Sequence, residues 1–591
     1  MYRAPLREMR FVLEELLHAG TLSACPAFAE YSDELGRSVL EEAARFAQDV
    51  LDPLNRPGDQ SGARWTPEGV VTAPGFRAAY EKFVAGGWPA LGSEPQFGGQ
   101  PVPRVLVNSV GEFWGSANLA FKLGPMLTHG AVHALELTGS EAQKRRYLPK
   151  MVSGEWSGTM VLTEAQAGSD LGQVRTRAVP DGDHFRLFGQ KIFITWGDHD
   201  LTANTIHMVL GRIEGAPAGV KGISLFIVPK VLLNADGSLG ERNDVRCLSI
   251  ERKLGIHASP TCVLAFGEQA GAVGYLIGEA GRGLEYMFIM MNSARLSVGS
   301  EGYSVGERAL QRATEWARTR VQGRPPGAQR GNAAPIINHP DVKRMLLTMK
   351  SQTEASRALT LYTAMQLDLA AASPDAAVRA AAQARGELLT PIVKGWCTET
   401  GNEVAAIGVQ VHGGMGFIEE TGAAQYVRDV RITTIYEGTT GIQANDLIGR
   451  KLGRDRGAAV LDFIAEMQRE LETLGGGAAV EAVRRAALDA VRQLAGATGA
   501  LLKALGTRPE LALSVSVPYL KLCGYVAGGW LLAKSAAIAA AQGGSSDAEF
   551  YTAKIRTAGF YAAQVLPIAA ALARVVESGG ASVADTDAAL I

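Results

Sequence analysis

The chain has 591 residues, of which 47% are apolar and 20% charged. That composition excludes intrinsic disorder, and at roughly 150 residues per domain the length leaves room for three or four domains. Lys plus Arg number 58 against 60 Asp plus Glu, so a net charge of −2 gives no global pull toward nucleic acid or an anionic membrane.

The first 150 residues read as helices. Met9, Phe11, Val12 and Leu16 recur at helical spacing, a second amphipathic stretch runs through Leu40, Ala44 and Phe46, and 140–150 has the pattern of a capped helix. From about Trp156 the texture becomes β-rich. Short runs at 158–162, 184–188, 191–195, 205–210, 223–228 and 261–266 are separated by Gly, Asp and Pro, which predicts a barrel or sandwich. No G-x-G-x-x-G follows a strand and no helix-length segment separates the runs, so a Rossmann sheet is not expected. Helical periodicity returns at Gly283. A Pro/Gly-rich loop is expected at 323–335, helices again at 339–451, and a break at the glycines of 474–478 before an Ala-rich helical tail. The expected fold is therefore α+β and multidomain. It comprises a helical domain at 1–155, a β domain at 156–278, a helical bundle at 279–460 and an additional helical domain at 461–591.

Cys25, Cys247, Cys262, Cys397 and Cys523 include no C-x-x-C pair. Free, mostly buried thiols in a reducing compartment are expected, with neither a disulfide framework nor a zinc site. His129 and His133 have the i, i+4 spacing of a helix-borne metal pair. No cysteine or carboxylate constellation joins them, and no metal is expected. The segment MYRAPLREMRFVLEELL carries charge inside its apolar pattern and does not read as a signal peptide. The nearest approach to a membrane span is 557–573, interrupted by Gln564 and Pro567. The default expectation is a cytoplasmic protein with no integral membrane segment and no nucleic-acid partner.

Three stretches carry chemistry. In 410–443, QVHGGMGFIEETGAAQYVRDVRITTIYEGTTGIQ, the glycines Gly413, Gly414 and Gly416 allow a ligand to approach the backbone. Glu437 sits beside apolar Ile435 and Tyr436 and before flexible Gly438, where desolvation would raise its pKa toward that of a general base. A surface Glu preceding a helix near Thr439 is the plainer reading of the same spacing. In 159–170, TMVLTEAQAGSD, a strand ends at Leu162, and Thr163 and Ser169 could bind a planar or anionic ligand or simply make a turn. In 191–197, KIFITWG, Phe193 and Trp196 offer aromatic faces and Thr195 a hydroxyl; a lone aromatic strand is more often core.

Together, in this order and spacing, the three stretches resemble the acyl-CoA dehydrogenase family of FAD flavoproteins. Gly154-Glu155, Lys253-Leu254-Gly255, Asn292–Arg295 and Trp316-Ala317 with Arg320 match as well. The resemblance covers about 1–460. The opening MYRAPLREMRF, the stretch RNDVRCLSIERKLGIHASPTCV and the extra C-terminal module resemble the subgroup containing 3-methylmercaptopropionyl-CoA dehydrogenases.

The resemblance implies FAD as cofactor and α,β-dehydrogenation of an acyl-CoA thioester to the trans-2-enoyl-CoA. Glu437 falls at the position of the catalytic base; the alternative position used by other members is Ala294, which cannot take a proton. Leu162 and Thr163 would meet the flavin ring, Phe193 would pack on it and Thr195 would reach N5. Arg320 would meet the FAD pyrophosphate and Gln410, Gly413 and Gly414 the ADP half, across a subunit interface. Thr439 would bond FAD near the base. Ser169 would contact the CoA portion, and Asn292, Arg295 and Gly438 would line the substrate. The backbone N–H of Glu437 and a ribityl hydroxyl would stabilise the thioester oxygen. Where members often carry Tyr, Trp and Asp, this chain has Met160, Phe193 and Asn292. The resemblance further implies a fatty acyl-CoA or 3-methylmercaptopropionyl-CoA substrate, a role in fatty acid β-oxidation, an electron-transfer flavoprotein as acceptor, and a homodimer in which the extra module covers the surface that simpler members bury in tetramers. An acyl-CoA oxidase or flavin monooxygenase on the same fold and a non-catalytic scaffold are the alternatives.

Overall fold

A computed structural model describes residues 1–326, 333–542 and 546–591. The chain forms two compact units. One comprises Met1 with Arg45–Val102 and Ala117–Ser297; the other comprises Tyr2–Ala44, Pro103–Ser116 and Val298–Ile591.

The first unit is built on a mixed sheet. Its strands, with two short hairpin pairs, are β1 (Arg64–Thr66), β2 (Gly69–Val71), β3 (Trp156–Val161), β4 (Arg177–Asp181), β5 (His184–Thr195), β6 (Asn204–Ile213), β7 (Ile223–Pro229), β8 (Val231–Leu233), β9 (Leu239–Arg242), β10 (Val245–Ile250), β11 (Thr261–Phe266) and β12 (Ala272–Ile277). The main sheet runs β10-β11-β5-β12-β7-β6-β3, and β4 pairs with both β5 and β6. The circuit β5-β12-β7-β6-β4 thereby closes on itself, which removes free edges from the centre of the sheet. The two runs expected at 184–188 and 191–195 are one strand, β5. Its first half pairs with β4 and β12 and its second with β11; Gly189 between them lies where a Cβ would come within 2.6 Å of Thr176 Oγ1. Sequence patterning missed β4, whose Pro180 reads against a strand, and β10 and β12.

Both faces of this sheet are covered. In β6, Ile206, Met208 and Leu210 pack with Ala131, Leu135 and Met151. Val209, on the opposite face, packs with Val161, Leu187 and Phe226. The helix expected near 140–150 is Glu141–Val152. Ser140 accepts from Gln143 N at 3.2 Å and donates its own N–H to Gln143 Oε1 at 2.9 Å, a reciprocal capping box.

The second unit is helical. The part of Gly283–Thr319 beyond Val298 is bundled with Pro340–Ala372, Ala376–Ile392 and Thr398–His412, and a π turn, Val393–Cys397, joins the last two. Residues 327–332 of the loop expected at 323–335 lie outside the described residues. The glycines at 475–477 interrupt the helices Ala458–Thr473 and Gly477–Thr507, as expected. Beyond them come Ser516–Ala541, Ala548–Phe560 and Ile568–Ser578.

Ser516–Ala541 is apolar around most of its circumference, interrupted by Lys521 and Lys534, the mark of a helix largely enclosed by others. Among the described residues it is the single helix long and apolar enough to cross a membrane, but 83% of its apolar window is buried inside the protein. It replaces 557–573 as the nearest such candidate. That stretch lies across Ala548–Val565 and Ile568–Ser578, which are bent by 40° at the break Leu566–Pro567.

Ion pairs removed from water fasten this unit. Arg357 is fully buried and its guanidinium meets Glu112 at 2.6 Å and Glu307 at 2.8 Å. One turn earlier on the same helix, Glu354 bonds Lys554 at 2.8 Å, and Lys554 also bonds Glu8 at 2.7 Å. Lys554 thus links the N-terminal segment, the central helix Pro340–Ala372 and the C-terminal module. Removing Lys554 takes this ammonium from buried Glu8, while Glu354 keeps Lys350, and a buried carboxylate that loses its cation is costly. Lys554→Met is expected to lower unfolding free energy by about 3–5 kcal/mol in urea titrations. A loss below about 1 kcal/mol, the range of an exposed pair, would mean that water reaches these carboxylates.

Candidate active site

In the first unit, four of the expected site residues converge where β3 leaves the sheet beside the end of β5. Thr163 O accepts from Ile192 N at 2.9 Å. Lys191, with no exposed surface, donates from Nζ to Leu162 O at 2.8 Å and pairs with Glu164 at 2.9 Å. Glu164 also accepts from Arg175 N, Thr176 N and the Thr176 hydroxyl, at 2.8, 3.0 and 2.6 Å. Burial opposes its ionisation, but the Lys191 ammonium and these donors outweigh it and hold the carboxyl at about 2. Burial is also the largest influence on Lys191; attraction to Glu164 offsets only part of it, and the ammonium is pushed down to about 8.

This buried pair fixes the loop that presents Leu162 and Thr163 next to Phe193 and Thr195. Phe193 has φ +60, a conformation bulky residues rarely adopt, and the residue is 59% exposed. An exposed aromatic ring on a strained backbone, with the half-buried Thr195 hydroxyl two residues on, fits a planar ligand better than a core strand. Trp196, also at positive φ, is core instead: it is buried, stacks on Phe76 and donates from Nε1 to Ala120 O at 3.2 Å. Ser169 lies on an exposed turn. Arg295 is buried, donates to Asn292 Oδ1 at 3.1 Å and lies over the Phe288 ring.

A Ser–His contact in the same unit can be set aside. Ser157 Oγ is 2.9 Å from His199 Nε2, but His199 Nδ1 accepts from Leu201 N at 3.2 Å. The proton therefore sits on Nε2, which donates to the serine and cannot deprotonate it. Burial lowers this imidazole to about 4, with Lys230 adding to the effect.

In the second unit, Glu437 lies half-buried on an irregular turn with φ +55. Gly438 follows with φ +88, a conformation that favours glycine. Its carbonyl accepts from buried Lys394 Nζ at 2.6 Å, and the Glu437 carbonyl accepts from buried Gln443 Nε2 at 2.9 Å. Tyr436 donates its hydroxyl to the buried Glu301 carboxylate. The helix Thr440–Asn445 begins as expected, with the Thr439 hydroxyl as N-cap on Ile442 N at 3.3 Å.

A second cluster in this unit joins the end of Thr398–His412 to the end of Gly283–Thr319. His412 donates from Nδ1 to Gly408 O at 2.7 Å and its ring stacks on Trp316 at 5.2 Å; burial lowers its pKa. Arg320 is exposed one turn beyond Trp316, and Gln410, Gly413 and Gly414 are exposed beside His412. A Cβ at Gly413 or Gly414 would meet only open space, whereas one at Gly416 would strike Val409 O at 2.3 Å. The first two therefore form an open cradle and the third serves packing.

Sequence reasoning passed over Lys191, Glu164, Lys394, Gln443 and Glu301. The readable signal was a lysine inside an apolar run, in FGQKIFI and in PIVKGWC, since a buried lysine requires partners.

Four family signatures match the chain. They are the acyl-CoA dehydrogenase N-terminal domain at 33–155, its middle domain at 159–268, its C-terminal domain at 281–452, and an acetyl-CoA dehydrogenase C-terminal-like domain at 463–587. The chain is 48% identical over 96% of both sequences to 3-methylmercaptopropionyl-CoA dehydrogenase of Ruegeria pomeroyi. It is 34% identical to a broad-specificity linear acyl-CoA dehydrogenase of Mycobacterium tuberculosis, covering 98% of this chain and 97% of that one. In fold it is similar to an acyl-CoA dehydrogenase of Bacillus anthracis complexed with FAD, with a TM-score of 0.73 and 20% identity over 94% of this chain and 90% of the other.

The Glu164 carboxyl yields a signed pH prediction. Its folded pKa lies below its unfolded value, so its stabilisation is present above about pH 4.5 and is lost as pH falls toward 2. The stability difference between wild type and Glu164→Gln should be up to about 3 kcal/mol at pH 7 and shrink steadily below pH 4.5. A difference that stays constant from pH 7 to pH 3 in denaturant titrations would remove the assignment.

Proposed function

The chain belongs to the acyl-CoA dehydrogenase family of oxidoreductases, and from that premise we propose that Glu437 is the base that takes the α-proton of an acyl-CoA thioester. The observation that carries this reading is the backbone at Glu437. A non-glycine residue at φ +55 costs about 1–3 kcal/mol and persists where its surroundings over-determine it. Here the carbonyls of both Glu437 and Gly438 are held by buried side chains. The strain serves to present one carboxylate in one orientation.

The residues fit FAD. In the first unit Leu162, Thr163, Phe193 and Thr195 supply an aromatic face and hydrogen-bonding groups for the flavin ring. In the second, Arg320 is the cation for the pyrophosphate, Gln410, Gly413 and Gly414 are the open cradle for the ADP half, and Thr439 is a hydroxyl beside the base. Bound FAD supplies the acceptor for the hydride that leaves the β-carbon.

The protein's own part is placement and proton transfer. An α-carbon is too weak an acid for a carboxylate unless the developing enolate is stabilised. The Glu437 N–H is this chain's donor for the thioester oxygen, and such a donor is typically worth roughly 10²–10³ in rate. Exclusion of water by the bound thioester raises the base toward the operating pH. Ser169 serves the CoA portion, and Asn292, Arg295 and Gly438 the acyl end. The substrate is a linear acyl-CoA or 3-methylmercaptopropionyl-CoA, supported by the names of the relatives at 48% and 34% identity. Electrons pass to an electron-transfer flavoprotein.

Glu437→Gln should retain its yellow FAD and lose at least about 10³-fold in turnover. Flavin bleaching by a series of acyl-CoA thioesters, the methylthio-propionyl thioester included, reads both the loss and the preferred chain. Bleaching of the variant at wild-type rate would reject the base, and stoichiometric hydrogen peroxide from wild type would favour an oxidase. Beside the Gly413–Gly414 cradle, Phe417 is 84% exposed, with Met415 and Ile418 also exposed. A second copy of the chain covers this apolar face, so light scattering should report a homodimer; a monomer would refute the assignment of Arg320 and the cradle to a partner's FAD.

A further inference from the structure

The groups that hold the Glu437 turn lead directly into the C-terminal module. Lys394 lies on the π turn Val393–Cys397, and its neighbours there are pressed against Ser516–Ala541. A Cβ on Gly395 would come within 2.7 Å of Leu520 Cδ2, and one on Gly524 would fall 2.2 Å from Trp396 Cγ. The two backbones approach closely because each side contributes a glycine. A second line runs parallel to the first. Lys521 of the same helix pairs with Glu399 at 3.3 Å, and Glu399 accepts from the Thr440 hydroxyl at 2.7 Å, three residues beyond Glu437.

A π turn inserts one residue into a helix and rotates the side chains that follow it. Here the inserted turn aims a fully buried ammonium at Gly438 O. A buried cation that loses an acceptor is costly, so the Gly438 carbonyl is tied to wherever the π turn places Lys394. That carbonyl and the Glu437 carbonyl, held by Gln443, belong to the two peptide groups following the Glu437 Cα. Rotation at residue 437 would break both bonds.

We propose that Lys394 is a positioning residue for Glu437 and that Ser516–Ala541 of the C-terminal module sets its position through the π turn. The inference rests on Glu437 as the base. It gives the extra module a part in the reaction: it buttresses the turn that carries the carboxylate.

The test uses the full-length FAD-loaded enzyme with butyryl-CoA and 3-methylmercaptopropionyl-CoA. Lys394→Met keeps the apolar stem and removes the donor, Lys394→Arg restores a cation, and Gly524→Ala pushes Trp396 and the π turn from the far side. Alanine is a better helix former than glycine, so a loss in Gly524→Ala does not come from weaker helix propensity. Lys394→Met should lose about 10–100-fold in kcat, as expected for a misplaced base. Its KM should stay within about twofold, its flavin spectrum should be unchanged and the pH profile of kcat should shift, with partial recovery in Lys394→Arg. Gly524→Ala should lose several-fold in kcat with the same profile shift. Wild-type kcat and pH profile in Lys394→Met overturn the proposal, and so does a loss shared by KM and flavin content without a profile shift. If Lys394→Met does not fold, an unaltered kcat and profile in Gly524→Ala overturns it alone. Glu437→Gln, assayed alongside, separates the two readings. Full turnover there withdraws the base itself, whereas an inactive Glu437→Gln with unaffected Lys394→Met withdraws only the positioning role.

Discussion

A buried cation must be met by acceptors, and that requirement organises both units of this protein. Moving an ammonium or guanidinium out of water costs several kcal/mol even after relaxation, and the cost is offset only by close, well-directed partners. Lys191, Lys394, Arg357 and Lys554 all have almost no exposed surface. Each consequently immobilises whatever it bonds. For Arg357 and Lys554 those are carboxylates on segments far apart in sequence, Glu112 and Glu307 for the one and Glu8 and Glu354 for the other. The outcome is a fixed arrangement of helices.

Lys191 and Lys394 use the same requirement differently. Each donates to a backbone carbonyl on an irregular segment, Leu162 O in the first unit and Gly438 O in the second. Each loop lies next to a non-glycine residue in the left-handed region, Phe193 at φ +60 and Glu437 at φ +55. A side chain on such a backbone would relax if its neighbours were free to move. The buried lysines deny that freedom. In two unrelated contexts, a strand end and a helix junction, the protein uses one device to present one side chain.

The C-terminal module belongs in the same account. Its helix Ser516–Ala541 has the composition of a membrane span, yet its apolar surface is consumed by packing against the bundle and its own neighbours. Gly524 and Gly528 bring it onto Trp396, and Lys521 and Lys554 anchor the module to Glu399 and Glu354. Its attachment is therefore apolar contact at the centre with ion pairs at chosen points, the pattern of an obligate interface.

Much of this was legible from residue order. The shift from helical periodicity to short β-rich runs separated by Gly, Asp and Pro located the sheet, because β-branched and aromatic residues favour strands and those three residues punctuate them. The capped pattern of 140–150 announced a helix, because capping is local; Glu437 stood out only through the resemblance of its flanking motifs to the family, since local spacing by itself favoured an ordinary surface glutamate. What order could not convey was long-range. The barrel closes through β4, a strand whose Pro180 argues against itself, because pairing to β5 and β6 outweighs intrinsic preference. Nor could it convey that Lys394 reaches a carbonyl 44 residues later, or that Gly524 rests on Trp396. Sequence by itself determined the succession of helical, β and helical regions, and its resemblance to the family pointed to the Glu437 carboxylate. Only the tertiary structure decided what holds that carboxylate in place, because a buried charge has no preferred partner until folding removes the water around it.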